Sequence, residues 1–316
     1  MAPSSATPVM LWACTDIDPA PWLAAFAQEM PELDIRQWPD MGRVEDITYA
    51  FVWKVAPGVL AGLPNLKAVF SLGAGVDRLV APQVVPPHLP LVRMADPGLK
   101  AGMSEFVLMQ ALHYHRAMPS FAAQQARREW RELAVPLARH RVVGLMGLGE
   151  LGRACAEHLL RLGFSVRGWS RSARALPGVT GFHGNEGLGP FLSQTEILVC
   201  LLPLTPDTRG ILNAHTFAQM PKGAHIINVA RGGHLVDEDL LAALASGQIA
   251  GASHDVFHEE PLPPEHAFWA HPRIIVTPHV AAPTYPETAA PMVIEGIRRH
   301  RAGLPLLNVV DRTAGY

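Results

Sequence analysis

Short apolar runs separated by helix-like or turn-rich stretches set the pattern of the first third of the chain. Val9–Ala13, Tyr49–Trp53 and Leu66–Leu72 are nearly continuous in apolar residues, and Pro19–Glu29 and Pro57–Leu63 fall between them. Strands covered on both faces read as unbroken apolar runs rather than as alternations. The pattern therefore predicts an α/β arrangement.

A long helix is expected after Pro97, running through Met103–Arg116, and a second, more regular set of alternations begins at Arg141. In it Val142–Met146, Ser165–Gly168, Ile197–Leu202, His225–Val229 and Ile274–Thr277 read as buried parallel strands, with helices over Glu150–Leu162 and Asp237–Ala245 between them. This is a doubly wound signature. Glu287–Arg301 reads as a last helix, and Leu304–Tyr316 has no strand partner nearby in sequence, so the chain is expected to return onto its first part. The expected organisation is two Rossmann-like α/β domains with doubly wound parallel sheets and the active site in the cleft between them. Residues 1–97 plus 284–316 form the substrate-binding domain, and residues 98–283 the dinucleotide-binding domain.

Composition narrows the choice of partner. The chain has 316 residues, beyond what one core usually supports, and is 49% hydrophobic and 17% charged, which excludes a disordered chain. Lys+Arg number 26 against 28 Asp+Glu, so no global field favours nucleic acid or an anionic membrane. Met1–Pro8 lacks the basic and apolar regions of an export signal, no run approaches the roughly 18 apolar residues of a membrane span, and a cytoplasmic protein is expected. Cys14, Cys155 and Cys200 are too few and too scattered for a disulfide framework and read as buried thiols. His254 and His258 lack the accompanying residues of a metal site, and Arg127-Arg128 and Arg298–Arg301 read as solvated helix faces.

Candidate chemistry begins at Gly147-Leu148-Gly149-Glu150-Leu151-Gly152, which follows the strand Val142–Met146 and opens a helix. Gly147 permits a tight turn, Gly149 lets a pyrophosphate approach the backbone, Gly152 lets the helix pack closely, and the helix N-terminus offers unpaired N–H groups. An enzyme specific for NAD usually carries Asp or Glu at the end of the next strand. Here that end reads Trp169-Ser170-Arg171-Ser172. Ser170 removes the carboxylate that would repel a 2′-phosphate, and Arg171, with the Ser170 and Ser172 hydroxyls, can bind that phosphate. NADP(H) is thus expected to be preferred, with NAD(H) possible.

Further segments stand at expected strand ends, where open α/β sheets place ligands. They are Leu202-Pro203-Leu204-Thr205-Pro206-Asp207-Thr208-Arg209-Gly210, Asn228-Val229-Ala230-Arg231-Gly232-Gly233, Asp255-Val256-Phe257-His258-Glu259-Glu260-Pro261-Leu262-Pro263 and Thr277-Pro278-His279-Val280-Ala281-Ala282. With the glycine motif, and in this order, they resemble the D-isomer-specific 2-hydroxyacid dehydrogenases from about Lys67 to Pro283. Trp53, Gly73-Ala74-Gly75-Val76-Asp77, Trp169-Ser170-Arg171-Ser172 and Val309-Val310-Asp311-Arg312 are most similar to the glyoxylate/hydroxypyruvate reductase branch.

Reducing a 2-oxo acid calls for a cation to hold the carboxylate and a proton donor for the incipient alkoxide. The planar fork of Arg231 suits the first task. His279, with Glu260 as its carboxylate partner, suits the second, because imidazole titrates near pH 6.5. The resemblance implies the same roles. It also implies that Leu202, Pro203 and Ala230 border the cofactor, that Asp255 meets the nicotinamide carboxamide, and that the N–H groups of Gly73, Ala74, Gly75 and Val76 reach the substrate carboxylate. Trp53 and Trp269 are candidates to wall the substrate pocket. A homodimer built around Met103–Arg131 is implied as well, its apolar positions Phe106, Leu108, Leu112, Met118 and Phe121 exceeding what one domain should expose. The expected activity is NADPH-dependent reduction of glyoxylate to glycolate and of hydroxypyruvate to D-glycerate. The alternatives are a dehydrogenase for a bulkier 2-oxo acid such as phenylpyruvate and a catalytically silent NAD(P)-sensing protein.

Overall fold

The computed structural model describes residues 7–315. The export-signal reading at Met1–Pro8 falls mostly outside them. The chain folds into two compact units, Met1–Leu99 with Pro283–Tyr316, and Lys100–Ala282.

The first unit holds β1 (Val9–Cys14), α1 (Ala20–Glu29), β2 (Asp34–Gln37), β3 (Tyr49–Trp53), β4 (Ala68–Ser71) and β5 (Leu91–Val92), and α2 (Pro97–His115) starts at its end. The strands form one sheet in the order β2-β1-β3-β4-β5, with every named pair parallel. One face carries Val9, Leu11, Ala50 and Val52 into an aliphatic core. On the other, Trp12 and Phe51 meet Trp22 and Phe26, one helical turn apart on α1, with the Trp22 and Phe51 rings 5.0 Å apart. The last segment returns to this unit as expected. Val309 bridges Val92 antiparallel, and the Arg312 guanidinium donates to the carbonyls of Val80, Val85, Pro86 and Leu89.

In the second unit α2 stops at His115 because Ala117 adopts a left-handed conformation (φ 54°), and α3 (Met118–Arg127) begins anew. Then follow β6 (Val142–Met146), α4 (Glu150–Arg161), β7 (Ser165–Ser170), β8 (Val179–His183), α5 (Gly184–Leu192), β9 (Ile197–Cys200), α6 (Ala214–Ala218), β10 (Ala224–Asn228), α7 (Asp237–Ser246), β11 (Ile249–His254) and β12 (Ile274–Val276). Helix α8 (Pro286–Arg301) belongs to the first unit. The second sheet runs β12-β11-β10-β9-β6-β7-β8, all parallel, so strand order reverses beside β6. Such a switch point opens a crevice at the carboxyl ends of the strands. Gly147, Ser170, Leu202, Arg231, Asp255 and His279 all follow strand ends there or close them.

Four strands were not among those expected: β2, β5, β8 and β11. β2 and β8 are sheet edges and partly polar, β5 is an edge strand of two residues, and β11 (Ile-Ala-Gly-Ala-Ser-His) is built mostly from small residues. The three cysteines are buried, and burial pushes the thiols of Cys155 and Cys200 up to about 12. Among the described residues no helix is long and apolar enough to cross a membrane, and no group of three or more His, Cys, Asp or Glu could hold a metal ion.

Candidate active site

The glycines of the nucleotide turn do different work. Gly147 has φ +107°, and a Cβ on it would sit 2.8 Å from the Leu201 carbonyl oxygen. A Cβ on Gly152 would overlap the Gly147 carbonyl, so only glycine lets α4 lie this close to β6. At Gly149 the opposite holds, since a Cβ would meet nothing within 4 Å. That open space fronts the N-terminus of α4, where Gly149 provides no side-chain cap for the first N–H groups. An anionic phosphate fits both the space and the unfilled donors. Leu148 is 1% exposed and packs over Gly168, so its backbone alone can line the site, while the Glu150 carboxylate is engaged by Lys100 at 2.6 Å.

Beyond β7, Arg171 and Ser172 are exposed, as a 2′-phosphate site requires. Ser170 departs from expectation. It is buried, and its hydroxyl donates to the Ser172 carbonyl at 2.8 Å, which shapes the turn instead of offering its proton to a phosphate. A second cation was missed. Arg174 donates to the Leu148 carbonyl at 3.4 Å and so lies against the glycine turn. The signal available was a basic residue three positions after Arg171.

The catalytic candidates come together through a chain of contacts. Arg231 follows β10 in extended backbone (φ −147°, ψ 151°), and its Nη1 donates to the Ala230 carbonyl at 2.7 Å. The next residue, Gly232, presses on the Phe257–His258 peptide so tightly that a Cβ would overlap Phe257. The Phe257 N–H in turn donates to Glu260 Oε1 at 3.0 Å, and Glu260 Oε2 lies 2.9 Å from His279 Nδ1. A carboxylate accepts only, so Nδ1 carries the proton and Nε2 is left for chemistry. Burial alone would raise the Glu260 carboxyl. The hydrogen bonds from His279 and the Phe257 N–H, with the charges of His279 and Arg231, outweigh it and hold the group below the usual carboxylate range.

His279 adopts φ 55°, an uncommon conformation for a residue with a side chain. Asp255 maintains it. Its Oδ1 accepts from Thr277 Oγ1 at 2.6 Å and Val280 N at 2.9 Å, its Oδ2 accepts from Ala281 N at 2.9 Å, and its carbonyl accepts the His279 N–H at 2.8 Å. Burial pushes the Asp255 carboxyl up, against these hydrogen bonds. Asp255 is therefore the anchor of the loop bearing His279, and an interaction with a carboxamide would use its remaining lone pairs. Leu202 and Ala230 are nearly buried at their strand ends and offer backbone more than side chain.

Within the first unit, Trp53 and the Gly73–Val76 loop are adjacent. A Cβ on Gly73 would lie 2.7 Å from the Trp53 ring. The Gly73 N–H, expected to face a substrate carboxylate, donates instead to Ser71 Oγ at 3.2 Å. Among the described residues none accepts from the N–H groups of Ala74, Gly75 or Val76, which remain available. Trp269 is 53% exposed, and its indole is fixed by donation to the Pro263 carbonyl at 2.9 Å.

The sequence profile described as "D-isomer specific 2-hydroxyacid dehydrogenase, NAD binding domain" matches residues 108–281. The glyoxylate/hydroxypyruvate reductase A of Photorhabdus laumondii is 44% identical over 304 residues, which cover 95% of this chain and 97% of that protein. The crystal structure of a D-isomer specific 2-hydroxyacid dehydrogenase from Xanthobacter autotrophicus in complex with NADPH and MES matches with TM-score 0.95 and 45% identity, covering 98% of this chain and 100% of that one. An NADPH-dependent glyoxylate/hydroxypyruvate reductase from Sinorhizobium meliloti, in complex with NADP and sulfate, matches with TM-score 0.92 and 43% identity over 98% and 100% of the two chains. The chain belongs to the D-isomer-specific 2-hydroxyacid dehydrogenase family.

Proposed function

We propose that the protein is an NADPH-dependent reductase of small 2-oxo acids, converting glyoxylate to glycolate and hydroxypyruvate to D-glycerate. The observation that carries the reading is the Glu260–His279 pair at 2.9 Å, with Nδ1 engaged and Nε2 unclaimed, on the same strand-end edge as Arg231 and the glycine turn.

Arg231 holds the substrate carboxylate with its guanidinium fork and turns the neighbouring carbonyl toward His279. The bound nicotinamide supplies the hydride to the 2-oxo carbon. His279 Nε2 gives its proton to the carbonyl oxygen, which becomes the hydroxyl of the 2-hydroxy acid, and Glu260 orients the ring through Nδ1. The N–H groups of Ala74, Gly75 and Val76, with Trp53, are proposed substrate contacts. Gly147 to Gly152, Ser172, Leu202, Pro203, Ala230 and Asp255 are proposed cofactor contacts, with Ser170 shaping the turn beside Arg171. Arg171, joined by Arg174, favours NADP(H), and NAD(H) remains a usable second cofactor. Residues 1–97 with 284–316 are proposed as the substrate-binding domain, and 98–283 as the dinucleotide-binding domain.

A homodimer, in the cytoplasm, completes the proposal. Phe106 and Leu108, expected on the dimer face, pack partly against the core of their own unit. The exposed apolar side chains of this region are Met109, Leu112 and Met118, with Trp130 fully exposed beyond α3. That surface favours a second copy of the chain. Sedimentation velocity at micromolar concentration should give twice the monomer mass, and a monomer would exclude it.

The substrate class is tested by following loss of the reduced-nicotinamide absorbance with glyoxylate, hydroxypyruvate and phenylpyruvate. The two small acids are expected to give the higher kcat/KM. A preference for phenylpyruvate would move the assignment to a bulkier substrate.

A further inference from the structure

The carbonyl of Arg231 is engaged from three directions. It accepts the His234 backbone N–H at 3.2 Å and the Asn228 Nδ2 amide at 3.1 Å, and His234 Nδ1 lies 3.1 Å from it. The other ring nitrogen, His234 Nε2, lies 3.2 Å from the Pro203 carbonyl, which also accepts Thr208 Oγ1 at 2.7 Å. His234 and Asn228 are both fully buried. Neither residue has a role in the constellation of Arg231, Glu260 and His279.

The two nitrogens of one imidazole thus face carbonyls on two loops, one after β9 and one after β10. A neutral ring has one N–H and an imidazolium two, so the ring donates to one or both. Proline has no N–H, which leaves its carbonyl as the only backbone handle at position 203. The loops are also joined by backbone: Gly210 N–H to the Gly233 carbonyl at 2.9 Å, Leu212 N–H to the His234 carbonyl at 2.8 Å, and a bridge between Leu212 and Leu235. Those links secure residues 233–235. The ring acts at the peptide that ends Arg231, where rotation would swing the guanidinium away from the substrate.

We propose that His234 is a positioning residue, fixing the Arg231 peptide through Nδ1 so that the guanidinium meets the substrate carboxylate, with the Nε2 contact to Pro203 setting the ring. This rests on the reductase reading of Arg231.

The amide nitrogen of asparagine can replace Nδ1, and that of glutamine can replace Nε2, which separates the two contacts. His234→Leu should lower kcat/KM for glyoxylate with NADPH by about 10–100-fold, the scale of a small misplacement of a binding group. His234→Asn should recover to within about threefold of the wild type, and His234→Gln should stay near the leucine variant. In an Arg231→Lys background, His234→Leu should add less than about a twofold loss, because the ring acts through the arginine. Equal losses in both backgrounds, or recovery by glutamine in place of asparagine, would overturn the proposal. Binding of oxamate, a 2-oxo acid analogue that accepts no hydride, is measured by calorimetry with NADPH in parallel. Its affinity should fall in His234→Leu and return in His234→Asn whether or not the enzyme turns over. Absence of wild-type turnover would thereby sink the reductase reading separately, and unchanged oxamate affinity in His234→Leu would sink this one.

Discussion

Replacing His279 with alanine should lower kcat for 2-oxo acid reduction by about 10²–10⁴-fold, the usual range for loss of a general acid, while the Kd for NADPH moves little. The expectation follows from geometry. Glu260 takes one side of the ring at 2.9 Å, and the loop is held by four hydrogen bonds that it donates to oxygens of Asp255 at 2.6, 2.9, 2.9 and 2.8 Å. The ring is thereby presented for proton transfer without needing to reorganise, and removing it takes away the donor and leaves the loop. Near-normal turnover of the alanine variant would remove His279 from the mechanism.

The same pair gives a pH signature. Glu260 is held below its ordinary value by His279, the Phe257 N–H and Arg231, against the effect of burial. The sign follows from linkage. A carboxylate whose folded value is depressed contributes stability that is fully present above its unfolded value and is lost as pH falls through the folded one. The Glu260 carboxylate therefore stays ionised, and able to accept from His279 Nδ1, through neutral and mildly acidic conditions. Glu260→Gln removes the anion at every pH, so the Tm advantage of the wild type over the variant should be full at neutral pH and shrink as pH falls below the ordinary carboxylate value of about 4. An advantage that stays constant across that range would mean that Glu260 is not held below its ordinary value.

The second large effect concerns the cofactor. Arg171→Ala should raise KM for NADPH by about 10–100-fold, as expected for the loss of charge-assisted hydrogen bonds to a phosphate, and should change KM for NADH by less than about twofold. NADH has no 2′-phosphate, so a side chain that recognises only that group cannot affect it. Arg174→Ala in the same comparison shows how much of the recognition the second arginine carries. An equal rise for both cofactors would mean that Arg171 supports the fold of the turn and does not read the phosphate.

How far the sequence reached depended on how each residue does its work. Strands buried on both faces announced themselves: β1, β3, β6 and β9 are continuous apolar runs because parallel sheets cover both sides. The edge strands β2 and β8 were silent, since one of their sides faces water and Arg36 of β2 is committed to ion pairs with Asp34 and Asp46. Strand β11 was hidden for another reason. Ala252, Ser253 and His254 have weak strand preference, and their place is set by packing between β10 and β12. The end of α2 was read to within one residue, Arg116 against His115, and Pro119 in the first turn of α3 marks where a new helix starts beyond the left-handed Ala117.

At the site, the glycines of the turn, Arg231, Glu260 and His279 were singled out by side-chain type, and the structure sets them along one strand-end edge. Contacts made through backbone atoms could not be singled out that way. The Gly73 N–H is taken by Ser71, a contact two residues away that neither residue type implies. His234 was unremarked among 15 histidines because its partners are two carbonyls, and every residue has a carbonyl. Ser170 was read for the carboxylate it replaces, and its hydroxyl closes the turn.

The central claim is tested most directly by incubating the wild-type protein with NADPH and hydroxypyruvate and measuring both NADPH consumed and D-glycerate formed by chiral chromatography. The account predicts rapid oxidation with the two amounts equal and the product in the D form. NADPH that binds but is not oxidised, with no glycerate formed, would contradict it and leave a nucleotide-binding protein without this catalysis.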